Sequence, residues 1–157
     1  AGAGLLLELR PGGSALVQDT AFDENLVSSG AAGGGAGMVV AGSGATTIRR
    51  SLFAGNRAWN AGGAGDSHGG ALWVPPLASG ALEILESTFS GNRAHGHGGA
   101  IAFGSPAAPG FDPTVATSIV DSTFTLNVAD DNGDNASSGG GLHALSRREG
   151  TPGRRRR

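Results

Sequence analysis

The sequence predicts an all-β chain, a right-handed parallel β-helix (a solenoid) of about four coils over residues 1–145. Three observations carry that expectation. Four phenylalanines, Phe22, Phe53, Phe89 and Phe124, recur at spacings of 31, 36 and 35, and each has an asparagine three residues later: Asn25, Asn56, Asn92 and Asn127. A glycine-rich run followed by an apolar residue closes each unit, as in Gly69-Gly70-Ala71-Leu72 and Gly98-Gly99-Ala100-Ile101. The 157 residues include 30 Gly and 7 Pro. No window of about ten residues keeps a 3.6-residue apolar period free of Gly, which argues against helical and α/β cores.

Alignment on Phe extends the repeat upstream. Five positions before it lie Val17, Ile48, Ile84 and Ile119; three before it lie Asp19, Arg50, Glu86 and Asp121; two before it lie Thr20, Ser51, Ser87 and Ser122. Each unit carries two stretches of period two. One follows the glycines: Met38 and Val40, Leu72 and Val74, Ile101 and Phe103, Leu142 and Ala144. The other precedes Phe: Ala15 and Val17, Thr46 and Ile48, Leu82 and Ile84, Thr117 and Ile119. Such alternation marks a strand with one buried face. The Gly, Asn and Ser residues between the stretches mark turns.

One unit cannot bury its apolar face alone. Stacked units do so, because equivalent residues then lie above one another at about the 4.8 Å strand spacing. The interior becomes files of like residues, with each buried Phe contributing roughly 1.5–3 kcal/mol. An inward Asn must satisfy its amide, and a file of identical amides hydrogen-bonds along its own length. Asn also tolerates the left-handed backbone that a sharp corner demands. The glycine pairs, including Gly34-Gly35 before Met38, supply corners with positive φ or close backbone approach. Unit length varies through loops. The insert 105–114, with Pro106, Pro109 and Pro113, interrupts one coil, and such loops are where binding specificity sits in solenoids.

Charge divides the chain. Residues 1–146 hold five Arg against twelve Asp and Glu, whereas residues 147–157 hold six Arg against Glu149. An acidic body does not neutralise phosphates, so nucleic acid is excluded as its partner. Residues 146–157 read as a disordered basic tail; Arg154 to Arg157 form either a polybasic address or a chain end without a role. Cysteine is absent, which excludes disulfides and thiolate chemistry. No apolar run of about 18 residues exists to span a membrane as a helix. No signal-peptide pattern follows Ala1, and the expectation is a segment of a longer solenoid.

The string Ser87-Thr88-Phe89-Ser90-Gly91-Asn92-Arg93-Ala94, running on to Gly98-Gly99-Ala100-Ile101, resembles the repeat of polymorphic outer membrane proteins. That repeat is recognised by paired FxxN and GGAI tetrapeptides. Here FxxN occurs four times, GGAI once intact and GGAL once. The resemblance implies a β-helix passenger displayed at the outer membrane by a C-terminal autotransporter barrel and associated with adhesion. The barrel and the cysteines typical of chlamydial members are not found in this sequence.

Several residues are candidates for chemistry. Asp130, Asp131 and Asp134, with Asn132, Gly133 and Asn135, pack oxygen donors at a density suited to Ca²⁺, though without EF-hand spacing; the alternative is a solvated acidic loop. No cofactor is otherwise expected. Gly62-Gly63-Ala64-Gly65-Asp66 is an incomplete version of a calcium-binding GGxGxD motif. His68 and His97 each precede a glycine pair by one position. Stacked one coil apart, with His95 near, they would share a metal or relay a proton, or sit as turn residues without a role. The Arg50, Glu86, Asp121 column reads as a surface ladder with one ion pair, or as two carboxylates placed for acid–base work, with Glu83 nearby on the strand. Trp73 follows Leu72 and so faces outward, where its ring would stack on a sugar or lie under a loop.

The function expected is a non-catalytic, secreted or surface-displayed scaffold that binds a glycan or protein partner. The alternative is a carbohydrate-active β-helix enzyme of the lyase or glycosidase kind. Three or more charged side chains converging in a groove beside Trp73 would favour the enzyme.

Overall fold

The computed structural model describes residues 4–28, 33–60, 67–104, 114–131, 133 and 139–144. The expected alternation produces short strands that wind in order. The first winding is β1 (Leu5–Leu9), β2 (Ser14–Gln18), β3 (Ala21–Asp23) and β4 (Leu26–Ser28). The second is β5 (Gly33–Gly34), β6 (Met38–Gly42), β7 (Ala45–Arg49), β8 (Leu52–Ala54) and β9 (Arg57–Trp59). The third is β10 (Ser67–His68), β11 (Leu72–Val74), β12 (Ser79–Leu85), β13 (Thr88–Ser90) and β14 (Arg93–Ala94). The fourth is β15 (Ile101–Phe103), β16 (Thr114–Val120) and β17 (Thr123–Thr125), and β18 (Leu142–Ala144) opens a fifth.

Each strand pairs in parallel with its counterpart one winding away. The sheets run β1-β6-β11-β15-β18, β2-β7-β12-β16, β3-β8-β13-β17 and β4-β9-β14, with a short β5-β10 pair. This is a parallel β-helix. Register follows the repeat: Phe22 lies on Phe53, Phe53 on Phe89 and Phe89 on Phe124, while Val17, Ile48, Ile84 and Ile119 form a second file. Ring centroids in the Phe file are 4.7, 4.7 and 4.8 Å apart, so the strand spacing itself sets the stacking distance. Both files belong to one core with Met38, Val40, Leu72, Val74, Leu82, Ile101 and Phe103.

Two polar ladders run beside that core. The Asn56 backbone N–H and Nδ2 both donate to Asn92 Oδ1, at 3.1 and 2.9 Å, and Asn92 repeats the pattern on Asn127 Oδ1. Each Nδ2 also donates back to the carbonyl of the previous winding's Phe, Asn92 to Phe53 and Asn127 to Phe89. Asn56 and Asn92 are fully buried, yet the polar atoms of their amides are satisfied. The serine column does similar work. Ser51 N–H donates to Ser87 Oγ and Ser87 N–H to Ser122 Oγ, each at 3.1 Å.

The corners differ from expectation in two ways. The asparagines are not left-handed; the residue before each one is. Glu24, Gly55, Gly91 and Leu126 have φ of 51°, 61°, 64° and 55°. The side chain therefore serves the ladder while its predecessor makes the bend. A second left-handed file is Asp19, Arg50, Glu86 and Asp121, at φ 51°, 45°, 49° and 49°. Arg50, Glu86 and Asp121 are thus corner residues rather than strand residues. In the glycine corners the first residue is left-handed, as at Gly98 (φ 67°), where a Cβ would overlap the Ile101 carbonyl. In the second winding the equivalent is Gly35 (φ 68°), one place later than a Gly34-Gly35 pairing implies.

Alternation also understates burial on the β6-β11-β15 sheet. Val39 and Ala102 point away from the core, yet they are only 3% and 1% exposed.

Candidate functional site

Three places outside the apolar core gather chemistry-bearing side chains. The first is a shallow groove of about 410 Å³ across β7, β12 and β16. Its small row is Ala45, Ala81 and Ala116; beside it runs Thr47, Glu83 and Ser118, in register on successive strands. Outward positions two residues apart on each strand create these rows. Glu83 is the ionisable side chain among them. Trp73 lies on a different sheet, on β11, half-buried, with its indole N–H donating to Gly104 O at 3.1 Å. The groove and the indole are therefore separate features.

The second place is built around Asp131. Arg57 and Arg93 are register partners on β9 and β14, so two guanidiniums start one strand spacing apart. Asp131 resolves the repulsion: Oδ2 accepts from Arg57 Nε at 2.9 Å and Oδ1 from Arg93 Nη1 at 2.8 Å. Its side chain is only 7% exposed. Arg57 also lies over the Trp59 ring, 4.0 Å from the centroid. The segment is pinned further by Asp131 N–H donating to Ala94 O at 3.0 Å. Of the calcium candidates, Asp131 thus has both oxygens held by arginines. Asp130 is partly buried at φ 62°, and Asp134 lies outside the described residues, as do Asn132, Asn135 and 61–66. Asp131→Asn should lower stability by about 1–3 kcal/mol, because it leaves two stacked guanidiniums without their shared anion. Urea unfolding checks this, with the more exposed Arg49–Glu86 pair as comparison: Glu86→Gln should cost no more than about 1 kcal/mol.

The ion pairs of the corner column are also redistributed. Arg50 binds Asp19 through Nε and Nη2, both at 2.8 Å, and its hydrogen bonds hold the Asp19 carboxyl below the usual range. Glu86 is bound by Arg49 at 3.1 Å rather than by Arg50. The carboxylates sequence reading set apart for acid–base work therefore include one already engaged by a guanidinium.

The third place is a file of imidazoles. The His68 and His97 rings stack at 5.5 Å and His97 and His143 at 4.3 Å. His143 escaped the sequence reading because it follows its glycine run, on β18, whereas His68 and His97 precede theirs. His68 is 1% exposed, and its Nδ1 accepts the His97 backbone N–H at 3.2 Å. Burial, then the neighbouring His97 and His143, push its pKa down to about 4. Burial, followed by His97, lowers His143 as well. His95 stands apart, 3.6 Å from the Trp59 ring, with Nδ1 accepting the Asn60 N–H. Among the described residues no three acidic or imidazole side chains are placed to hold one metal ion. No described helix is long and apolar enough to cross a membrane.

No curated protein and no solved structure matches the chain. Residues 86–104 run from the corner after β12 through the Phe89–Asn92 turn and the Gly98-Gly99 corner to the end of β15. That stretch matches the Chlamydia polymorphic membrane protein (Chlamydia_PMP) repeat.

Proposed function

We propose that this chain is a non-catalytic β-helix scaffold, secreted or displayed at a cell surface, whose outer faces and loops bind a glycan or protein partner. The matched repeat supports a surface setting, since its family is associated with surface and autotransporter proteins. The observation that carries the scaffold reading is the use made of charge. Arg49, Arg50, Arg57 and Arg93 bind carboxylates contributed by other windings, so these groups fasten coil to coil. The groove across β7, β12 and β16 offers hydroxyls and one carboxylate, a surface for hydrogen-bonding a hydroxylated chain. Trp73 and Asp130 are the proposed contact residues outside it, with Asp131 holding the Asp130 segment in place.

The test is to incubate the purified chain with a panel of bacterial and host polysaccharides and to measure both retention and new reducing or unsaturated ends. Saturable retention without product, weakened by Trp73→Ala or Glu83→Gln, is expected. Product formation abolished by Glu83→Gln would replace the scaffold with the carbohydrate-active enzyme.

A further inference from the structure

We propose that His68 is an acid-sensitive latch between neighbouring windings: its unprotonated Nδ1 holds the His97 backbone N–H, and protonation opens the corner they share. The geometry requires a particular proton arrangement. An imidazole nitrogen that accepts a hydrogen bond carries no hydrogen, so the neutral ring bears its proton on Nε2. Protonating Nδ1 turns the acceptor into a donor and sets it against the amide it was holding, 3.2 Å away. At 1% exposure the ring has no room to keep its place and find water instead.

Among the described residues, the neighbouring imidazoles disfavour the cation. His97 and His143 stack in the same file. The β5 partner of β10 is Gly33–Gly34 and brings no charge. From β9, which also packs on β10, comes Arg57, already bound to Asp131. The 95–97 segment brings His95 and is crossed by Asp130, whose N–H donates to Gly96 O at 3.3 Å. The closed corner is knit by backbone bonds that would separate together. Gly69 N–H donates to His97 O, Gly70 N–H to Gly98 O, and Gly35 N–H to His68 O, at 2.9, 3.1 and 3.0 Å.

The direction in pH follows from linkage. In the closed corner His68 titrates at about 4 instead of the ordinary 6.5, so the open form binds the proton more tightly. Lowering pH from 6.5 towards 4 therefore favours opening, and below that both forms are protonated and the effect levels off. The population of the open corner should rise about 20-fold from pH 7 to pH 5.

Two measurements on the intact chain test this. The first is the His97 amide protection factor, corrected for intrinsic exchange, in the wild type and in His68→Asn. Asn Oδ1 reaches the Nδ1 position and accepts the same N–H without titrating. Protection should fall about 20-fold between pH 7 and pH 5 in the wild type and stay level in the variant. The same fall in both would overturn the latch. The second needs no variant: ¹⁵N spectra of the wild type should show the His68 Nδ1 unprotonated at pH 7. A proton on that nitrogen, or titration at the ordinary 6.5 with the His97 amide still protected, would also overturn it.

Discussion

Phe89→Ala should cost roughly 3–5 kcal/mol of unfolding free energy, the largest effect expected of any single side chain in this solenoid. The ring is fully buried and lies between Phe53 and Phe124 at 4.7 and 4.8 Å, parallel to both within 3°. Truncation removes the transfer contribution of one ring and both of its stacked faces. The void cannot close, because the strand ladder holds Phe53 and Phe124 two strand spacings apart. Collapse would require Thr88–Ser90 to leave its register with β8 and β17. Phe124→Ala, at the partly buried end of the file, should cost distinctly less. Urea melts of both variants check the prediction; equal losses would mean that the file does not act as a continuous stack.

Asn92→Ala should cost on the order of 3 kcal/mol, from the polar atoms it strands. Asn92 Oδ1 takes two donors from Asn56, its backbone N–H and Nδ2, and Asn92 Nδ2 serves both the Phe53 carbonyl and Asn127 Oδ1. Removing the amide leaves these partners facing a hydrocarbon methyl, with Asn56 and Phe53 fully buried and Asn127 partly so. Asn92→Leu tests whether volume or polarity governs the site. It restores bulk but no acceptor, so it should be no more stable than the alanine variant. Calorimetric melts that find the leucine variant near wild type would show that the ladder contributes little.

The legible part of the molecule was whatever repeats as a residue type. Phe, Asn, Ser and the aliphatic file each occupy one position per winding because one chemical task recurs there, and a recurring task leaves a recurring letter. The left-handed file Asp19, Arg50, Glu86 and Asp121 repeats a backbone conformation instead, and three residue types of either charge satisfy it, so no single letter announces the bend. Asp131 was legible as an acidic residue but not as the anion between Arg57 and Arg93. Arg57 is 74 residues away, and the contact depends on where an irregular segment crosses β14. The burial of Val39 and Ala102 was likewise hidden, since alternation tells which way a side chain points but not whether that side is roofed. The imidazole file was half visible: spacing from the glycines pairs His68 with His97, but His143 reaches the same file from the opposite side of its corner.

The amide and hydroxyl ladders have a direction. In every link the backbone N–H belongs to the earlier winding and the side-chain oxygen to the later one. Each turn of the solenoid is therefore finished by its successor. A chain emerging from its amino end would hold every newly wound turn incomplete until the following one arrives with its Asn and Ser oxygens. The two ends of the solenoid are therefore chemically unlike: along these seams the amino-terminal side of each turn offers oxygens and the carboxy-terminal side offers N–H groups.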